Sequence, residues 1–186
     1  MAHFGDHQLV RYGVPIKLVH IGTRKTLHSH LINYPTGSHQ QEVTCFHERD
    51  DNDWWIIKGP DGNGRFNCPI GAPVLNHSII RLEHVLTYRN LHSHHGFKSP
   101  ATNQGEVTAF GEFGIGDAND NWRLEVQGHH PGAPWRINEQ VKLIHVATNH
   151  ALHSHNGHNT PGSDQQEVTA FGERDANDLW AIEVLG

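Results

Sequence analysis

"LHSH" stands at residues 27–30, and the same four letters return at 91–94 and at 152–155. A tetrapeptide with two histidines does not recur three times in 186 residues by chance, so internal repetition is the first thing to read. Aligned on LHSH, the first unit is "IKLVHIGTRKTLHSHLINYPTGSHQQEVTCFHERDDNDWWIIKG". The second is "IRLEHVLTYRNLHSHHGFKSPATNQGEVTAFGEFGIGDANDNWRLEVQG", and the third is "VKLIHVATNHALHSHNGHNTPGSDQQEVTAFGERDANDLWAIEVLG". The spacing from Lys17 to Glu42 equals that from Arg81 to Glu106 and from Lys142 to Glu167. From those glutamates to Trp55, Trp122 and Trp180 the first and third units agree. The second is three residues longer near "GEFGIGD", which predicts a longer surface loop.

Each unit reads as short strands. In "IKLVH", Leu18 and His20 share one face, as do Leu82 with His84 and Leu143 with His145. "WIIKG", "WRLEV" and "WAIEV" alternate in the same way, so Trp55, Trp122 and Trp180 are expected in the core with Ile57, Leu124 and Ile182. Gly, Pro, Asn and Asp fill the intervals, and no stretch keeps a helical period. Three β units of ~45 residues, about 14–59, 78–128 and 139–186, predict an all-β chain closed as a β-trefoil with pseudo-threefold symmetry. Propellers use blades of similar length but usually at least four of them. The whole of 1–186 then forms one domain, because a single unit cannot close a core. The Gly/Pro-rich linkers 59–76 and 128–138 are expected to run over the surface. Trp54 aligns with Asn121 and Leu179 and is expected near the surface. Cys45 aligns with Ala109 and Ala170, so it reads as a buried free thiol, and Cys68 as a second free thiol in a linker.

Composition excludes several classes. Hydrophobic residues make up 35% and charged residues 18%, with a formal charge of −6. The 14 Lys and Arg form no run, so nucleic acid is not an expected partner. No segment approaches the ~18 apolar residues of a membrane span. The amino terminus "MAHFGDHQLV" has no apolar signal-peptide core, so the chain reads as soluble, in a compartment the sequence does not fix. The 19 histidines make its electrostatics sensitive to pH.

The combination of L-H-S-H, a Tyr-Pro-x-Gly-Ser or similar loop, Gln-Gln-x-Val-Thr and Asp-x-Asn-x-x-Trp resembles the MIR domain. That domain occurs in protein O-mannosyltransferases, inositol trisphosphate and ryanodine receptors, and stromal-cell-derived factor 2 proteins. The likeness covers nearly the whole chain. It implies a β-trefoil and a non-catalytic module that binds a ligand or partner, often attached to an enzyme or channel.

Strand parity places Leu27 and Ser29 on one face of LHSH and His28 and His30 on the other. The pairs His28/His30, His92/His94 and His153/His155 are therefore expected to point away from the core at lobe surfaces. Three roles compete for them: contact with a polar ligand, structural bonds to the Gln-Gln and Asn-Asp turns, or metal binding. A metal would want a third or fourth ligand beyond an i, i+2 pair. Gln40, Gln104 and Gln165 occur in every unit, with Gln41 and Gln166 beside two of them and Gly105 beside the third. An amide gives and takes hydrogen bonds as a sugar hydroxyl does, or it can satisfy loop backbone. His20, His84 and His145 read as buried structural imidazoles bonded to backbone or carboxylate, with the aspartate of the Asn-Asp turn as one candidate partner. The expected function is recognition of carbohydrate, polyol or glycosylated polypeptide by up to three His/Gln pockets, with the middle one weakest. No catalytic residues, cofactor or metal are expected. The alternative is a protein-interaction domain, or a lumenal loop of a protein O-mannosyltransferase. An active site usually breaks the symmetry of its scaffold, and everything chemical here occurs three times.

Overall fold

The structure is a computed structural model that describes residues 8–61 and 68–184. The ends of the expected domain and residues 62–67 of the first linker lie outside these. The first unit supplies β1 (Pro15–Ile16), β2 (Leu18–His20), β3 (Thr26–Asn33), β4 (Gln41–Phe46) and β5 (Trp55–Lys58). The second supplies β6 (Ile79–His84), β7 (Asn90–Lys98), β8 (Gly105–Phe110) and β9 (Trp122–Val126). The third supplies β10 (Val141–His145), β11 (Ala151–Asn159), β12 (Gln166–Phe171) and β13 (Trp180–Ile182). One turn of 3-10 helix precedes the last strand of each unit, at Asp51–Asp53, Ala118–Asp120 and Ala176–Asp178.

The outer strands of the units form a closed antiparallel barrel. Its pairings run β5–β6, β6–β9, β9–β10, β10–β13 and β13–β2, and β1, in line with β2, closes it on β5. The inner strands form three hairpins, β3–β4, β7–β8 and β11–β12. These cap one end of the barrel by pairing cyclically, β4 with β8, β8 with β12 and β12 with β4. This is the β-trefoil that the three repeated β units predict.

The core fills from equivalent positions. Leu18, Leu82 and Leu143 are buried together with Trp55, Trp122 and Trp180. Each indole N–H donates to the carbonyl of the LHSH leucine in its own unit: Trp55 to Leu27 at 3.1 Å, Trp122 to Leu91 and Trp180 to Leu152 at 3.0 Å. A buried tryptophan keeps its place only with such a partner. Trp54 is half-buried, with the Lys17 ammonium 4.7 Å from its ring centre. Cys45 is buried, and burial pushes its thiol up to about 12; neither it nor Cys68 is in a disulfide.

The linkers depart from the surface path expected of them. Val74, Ala133 and Trp135 are buried, with Val10 of the amino-terminal segment. The three segments close the other end of the barrel as a ring. Val10 N–H donates to Trp135 C=O, Trp135 N–H to Val74 C=O and Val74 N–H to Val10 C=O, each at 2.9 Å. Apolar residues at 10, 74 and 135 therefore serve as a plug, a role that the flanking Gly and Pro obscure. The inserted loop of the second unit is also anchored rather than free. The buried Lys58 ammonium donates to Glu83 at 3.0 Å and to the Gly114 carbonyl at 2.7 Å.

Removing the largest side chain of the plug tests its part in the core. Trp135→Ala is expected to cost about 3–5 kcal/mol. Urea denaturation of the variant would show it; a loss below 1 kcal/mol would mean that the ring contributes little to barrel closure.

Candidate functional site

The two histidines of each LHSH part company. Leu27 and Ser29 are buried facing the core, as parity predicts, but His28 is buried as well, at 1% exposure. His92 and His153 are equally buried. The outer face of each hairpin is covered by the 3-10 turn of its own unit. His28 Nδ1 donates to Asp53 Oδ1 at 2.8 Å, His92 Nδ1 to Asp120 and His153 Nδ1 to Asp178 at 2.7 Å. The aspartates are themselves fixed by a capping box, since Asp53 Oδ2 accepts from the Asp50 backbone at 3.0 Å while Asp50 caps Asn52. The second histidines, His30, His94 and His155, are half-buried. His30 bridges His28, at 3.2 Å, to Glu42, at 2.6 Å. His94 lies 3.3 Å from Glu106, and His155 lies 2.9 Å from His153. In each unit the first histidine and two acidic groups, such as His28 with Asp50 and Asp53, form the only clusters among the described residues that could hold a cation. Those donor atoms already serve the turn.

Sequence reasoning missed the glutamates. Glu42, Glu106 and Glu167 are buried, and each accepts hydrogen bonds from the loop of the preceding unit. Thr160 reaches Glu42, Ser38 reaches Glu106, and the Ala101 and Thr102 backbones reach Glu167. Their recurrence at fixed spacing was the available signal. The first amide of each unit is engaged with the following unit instead. Gln40 Oε1 accepts from Thr108 at 2.7 Å, Gln104 from Thr169 at 2.6 Å and Gln165 from Thr44 at 2.6 Å.

His20, His84 and His145 are buried, as expected, but their partner is not the turn aspartate. Each Nε2 donates to a backbone carbonyl of the preceding unit at 2.8 Å: Asn177 for His20, Asn52 for His84 and Asn119 for His145. A carbonyl can only accept, so Nε2 carries the proton and Nδ1 must accept. Nδ1 therefore takes the hydroxyl proton of Thr23, Thr87 or Thr148, at 2.7–2.8 Å. The turn that delivers the threonine holds Arg24, Tyr88 or Asn149 at φ near +60°. Asn tolerates this left-handed conformation; Arg and Tyr do so at some cost, so the turn is imposed by what it positions.

That threonine determines how the buried amides lie. Gln41 Nε2 donates to Thr87 at 3.1 Å and to Ser29 at 2.8 Å; Gln166 Nε2 donates to Thr23 at 3.0 Å and to Ser154 at 2.8 Å. Ser29 and Ser154 have given their own protons to the Glu42 and Glu167 carbonyls. Both hydroxyls in each pair can only accept, so Oε1 must face the other way. It faces a cleft. One cleft, of about 410 Å³, lies between the first and second hairpins and is lined by Asn33, His39, Gln40, Gln41, Arg89 and Phe110, among others. The other, of about 350 Å³, lies between the third and first and has Asn159, Asp164, Gln165, Gln166, Lys25 and Phe46 at matching positions. None of the six LHSH histidines lines either cleft. The remaining junction has Gly105 in place of the second glutamine. A Cβ there would lie 2.8 Å from the Ala170 carbonyl, so the backbone itself excludes the amide.

The fold and these thrice-repeated turns define a β-trefoil of MIR type, and the comparisons agree. The family model described as "MIR domain" matches residues 23–121, and the chain belongs to that family. It is 38% identical to a stromal cell-derived factor 2-like protein of Dictyostelium discoideum, over 98% of this chain and 86% of that one. It is 39% identical to protein O-mannosyl-transferase 2 of Drosophila melanogaster, over 94% of this chain and 23% of that one. Among solved structures, the SDF2-like protein from Arabidopsis thaliana superposes with a TM-score of 0.85 at 36% identity, covering 94% of both chains. No helix among the described residues is long and apolar enough to cross a membrane.

The inter-unit imidazoles predict a pH dependence of stability. Burial, opposed by the bond to Asn52, lowers the His84 pKa from 6.5 to about 4, and burial lowers His20 and His145 in the same direction. In the unfolded chain these rings take up a proton near pH 6.5, whereas the folded protein resists it. Stability should therefore be full above pH 6.5 and fall between there and about pH 4. The His84 share is about 3 kcal/mol. Urea midpoints measured from pH 7.5 to 4 would show this; a flat profile would mean that the three rings are not held neutral.

Proposed function

We propose that this domain is a non-catalytic binding module for a hydroxylated ligand: carbohydrate, a polyol or the glycosylated part of a polypeptide. The observation that carries this is the convergence of Gln40 and Gln41, and of Gln165 and Gln166, into two matched clefts. Each cleft adds an asparagine, a cation and a phenylalanine wall. Amides and a cation suit hydroxyls, and an aromatic wall suits the C–H face of a sugar. Non-catalysis is supported by the state of the titratable groups, since the aligned histidines and carboxylates are bound to one another and repeated in every unit. His28, His30, His92, His94, His153 and His155 act in this reading as scaffold, holding the hairpins whose edges make the clefts. Gln104 lies at the junction that lacks a second amide.

A second reading, recognition of polypeptide, has one observation in its favour. Leu86, Tyr88, Phe113 and Ile115 are exposed together on the second unit, where Gly114 N–H donates to Tyr88 C=O. Exposed apolar groups of this kind suit a protein contact.

The test is an NMR titration of the ¹⁵N-labelled domain with glycerol, methyl α-mannoside, methyl α-glucoside and cellobiose. Side-chain amide signals of the glutamines in at least one cleft should move, with Kd in the ~millimolar range expected of a shallow polar site. A folded His30→Ala, His155→Ala double variant should bind as the parent does. Weaker binding by that variant would return the histidines to direct contact. Unmoved amide signals with all four probes would overturn the reading.

A further inference from the structure

The two clefts share an asparagine, two glutamines, a cation and a phenylalanine, while His39, Gly111 and Glu112 of one give way to Asp164 and His47 in the other, and their buried glutamine oxygens differ in partner. In the first, Gln41 Oε1 accepts from the Arg89 guanidinium at 2.9 Å. In the second, Gln166 Oε1 is buried and has no protein partner among the described residues, and Gln166 itself is only 2% exposed. The amide cannot be turned to relieve this. Its Nε2 serves Thr23 and Ser154, whose own protons are committed to His20 and to the Glu167 carbonyl. The residue at the Arg89 position is Lys25, half-buried in the wall of the same cleft. Its ammonium lacks the planar fork by which Arg89 reaches the amide. The protein itself offers Gln166 Oε1 no donor, so a donor brought in by a ligand has an acceptor waiting there.

We propose that the cleft between the third and first hairpins takes a hydroxyl of a sugar or polyol at Gln166 Oε1. The matching cleft between the first and second hairpins is closed to that ligand by its own Arg89. This rests on the binding function proposed above and assigns it to one site. The hydroxyl donates to Gln166 Oε1 and accepts from Lys25 Nζ or from the Gln165 amide, which has given only its oxygen to Thr44. A neighbouring hydroxyl reaches Asn159 or Asp164, so a vicinal diol fits better than a simple alcohol. A cationic donor is disfavoured, because Lys25 already places a positive charge in the wall.

The comparison between clefts supplies its own experiment: exchange the two cations. In NMR titrations with glycerol and methyl α-mannoside, the parent should shift the Gln165 and Gln166 side-chain signals and not those of Gln40 and Gln41. Lys25→Arg should supply the missing donor and weaken binding at least tenfold while leaving the fold intact. Arg89→Lys should release Gln41 and give shifts at Gln40 and Gln41 as well, doubling the number of sites. The Lys25→Arg spectrum, with a new protected arginine N–H signal, separates a filled acceptor from a misfolded variant. Binding that Lys25→Arg leaves unchanged, or shifts that map elsewhere in the parent, would overturn this assignment and leave the broader reading standing. So would methylguanidinium shifting Gln166 where the polyols do not. No shifts with any neutral sugar or polyol would overturn both.

Discussion

No unit of this chain can satisfy its own buried polar groups; each is completed by the next. His84 donates to the Asn52 carbonyl of the unit before it, His145 to Asn119 and His20 to Asn177. Gln40, Gln104 and Gln165 accept from the threonine of the unit after them. Glu42, Glu106 and Glu167 hold the loop of the unit before them. Every set closes on itself after three steps. An isolated unit would leave these donors and acceptors unmet in a water-poor interior, where each unmet group costs roughly as much as a native hydrogen bond gains or more. The threefold arrangement is thus a hydrogen-bonding requirement as well as a packing one. The ring of Val10, Val74 and Trp135 repeats it in backbone at the opposite end of the barrel.

Directionality follows from the same chains. A carbonyl at one end fixes the imidazole tautomer, the imidazole fixes the threonine proton, and the threonine fixes the amide. The orientation of Gln41 or Gln166 at a cleft is decided three groups away, in the backbone of its own unit, through the histidine and threonine of the next. The clefts are consequently built on hydrogen-bonded strand edges of the scaffold, and Arg89 against Lys25 changes what the glutamine oxygen meets in each.

The fold was legible because its signals are local and repeated. Alternation in "IKLVH" and "WRLEV" identified strands, and the recurrence of LHSH set the three units. The linkers misled, because Gly and Pro around Val74 and Trp135 resemble surface loops while three isolated apolar residues do the plugging. LHSH was legible by half. Parity put Leu27 and Ser29 inside correctly, but it could not show that a 3-10 turn some twenty residues on would cover the other face and bury His28 against Asp53. The turn's aspartate was matched to the wrong histidine for the same reason: parity gives faces, not what lies over them. Gln40, Gln41, Gln165 and Gln166 come together in clefts, and Gly105 leaves the remaining junction without a second amide, as the alignment of the units shows.

The claim most exposed to a single measurement is that the inter-unit imidazoles are neutral, with the proton on Nε2. Long-range ¹H–¹⁵N correlation of the histidine side chains at pH 7 reads this directly, ring by ring. His20, His84 and His145 should show the Nε2–H tautomer, with Nδ1 shifted as a hydrogen-bonded acceptor. The Nδ1–H tautomer, or an imidazolium pattern at those three positions, would break the chain from Asn177 to Gln166 and with it the account of the cleft.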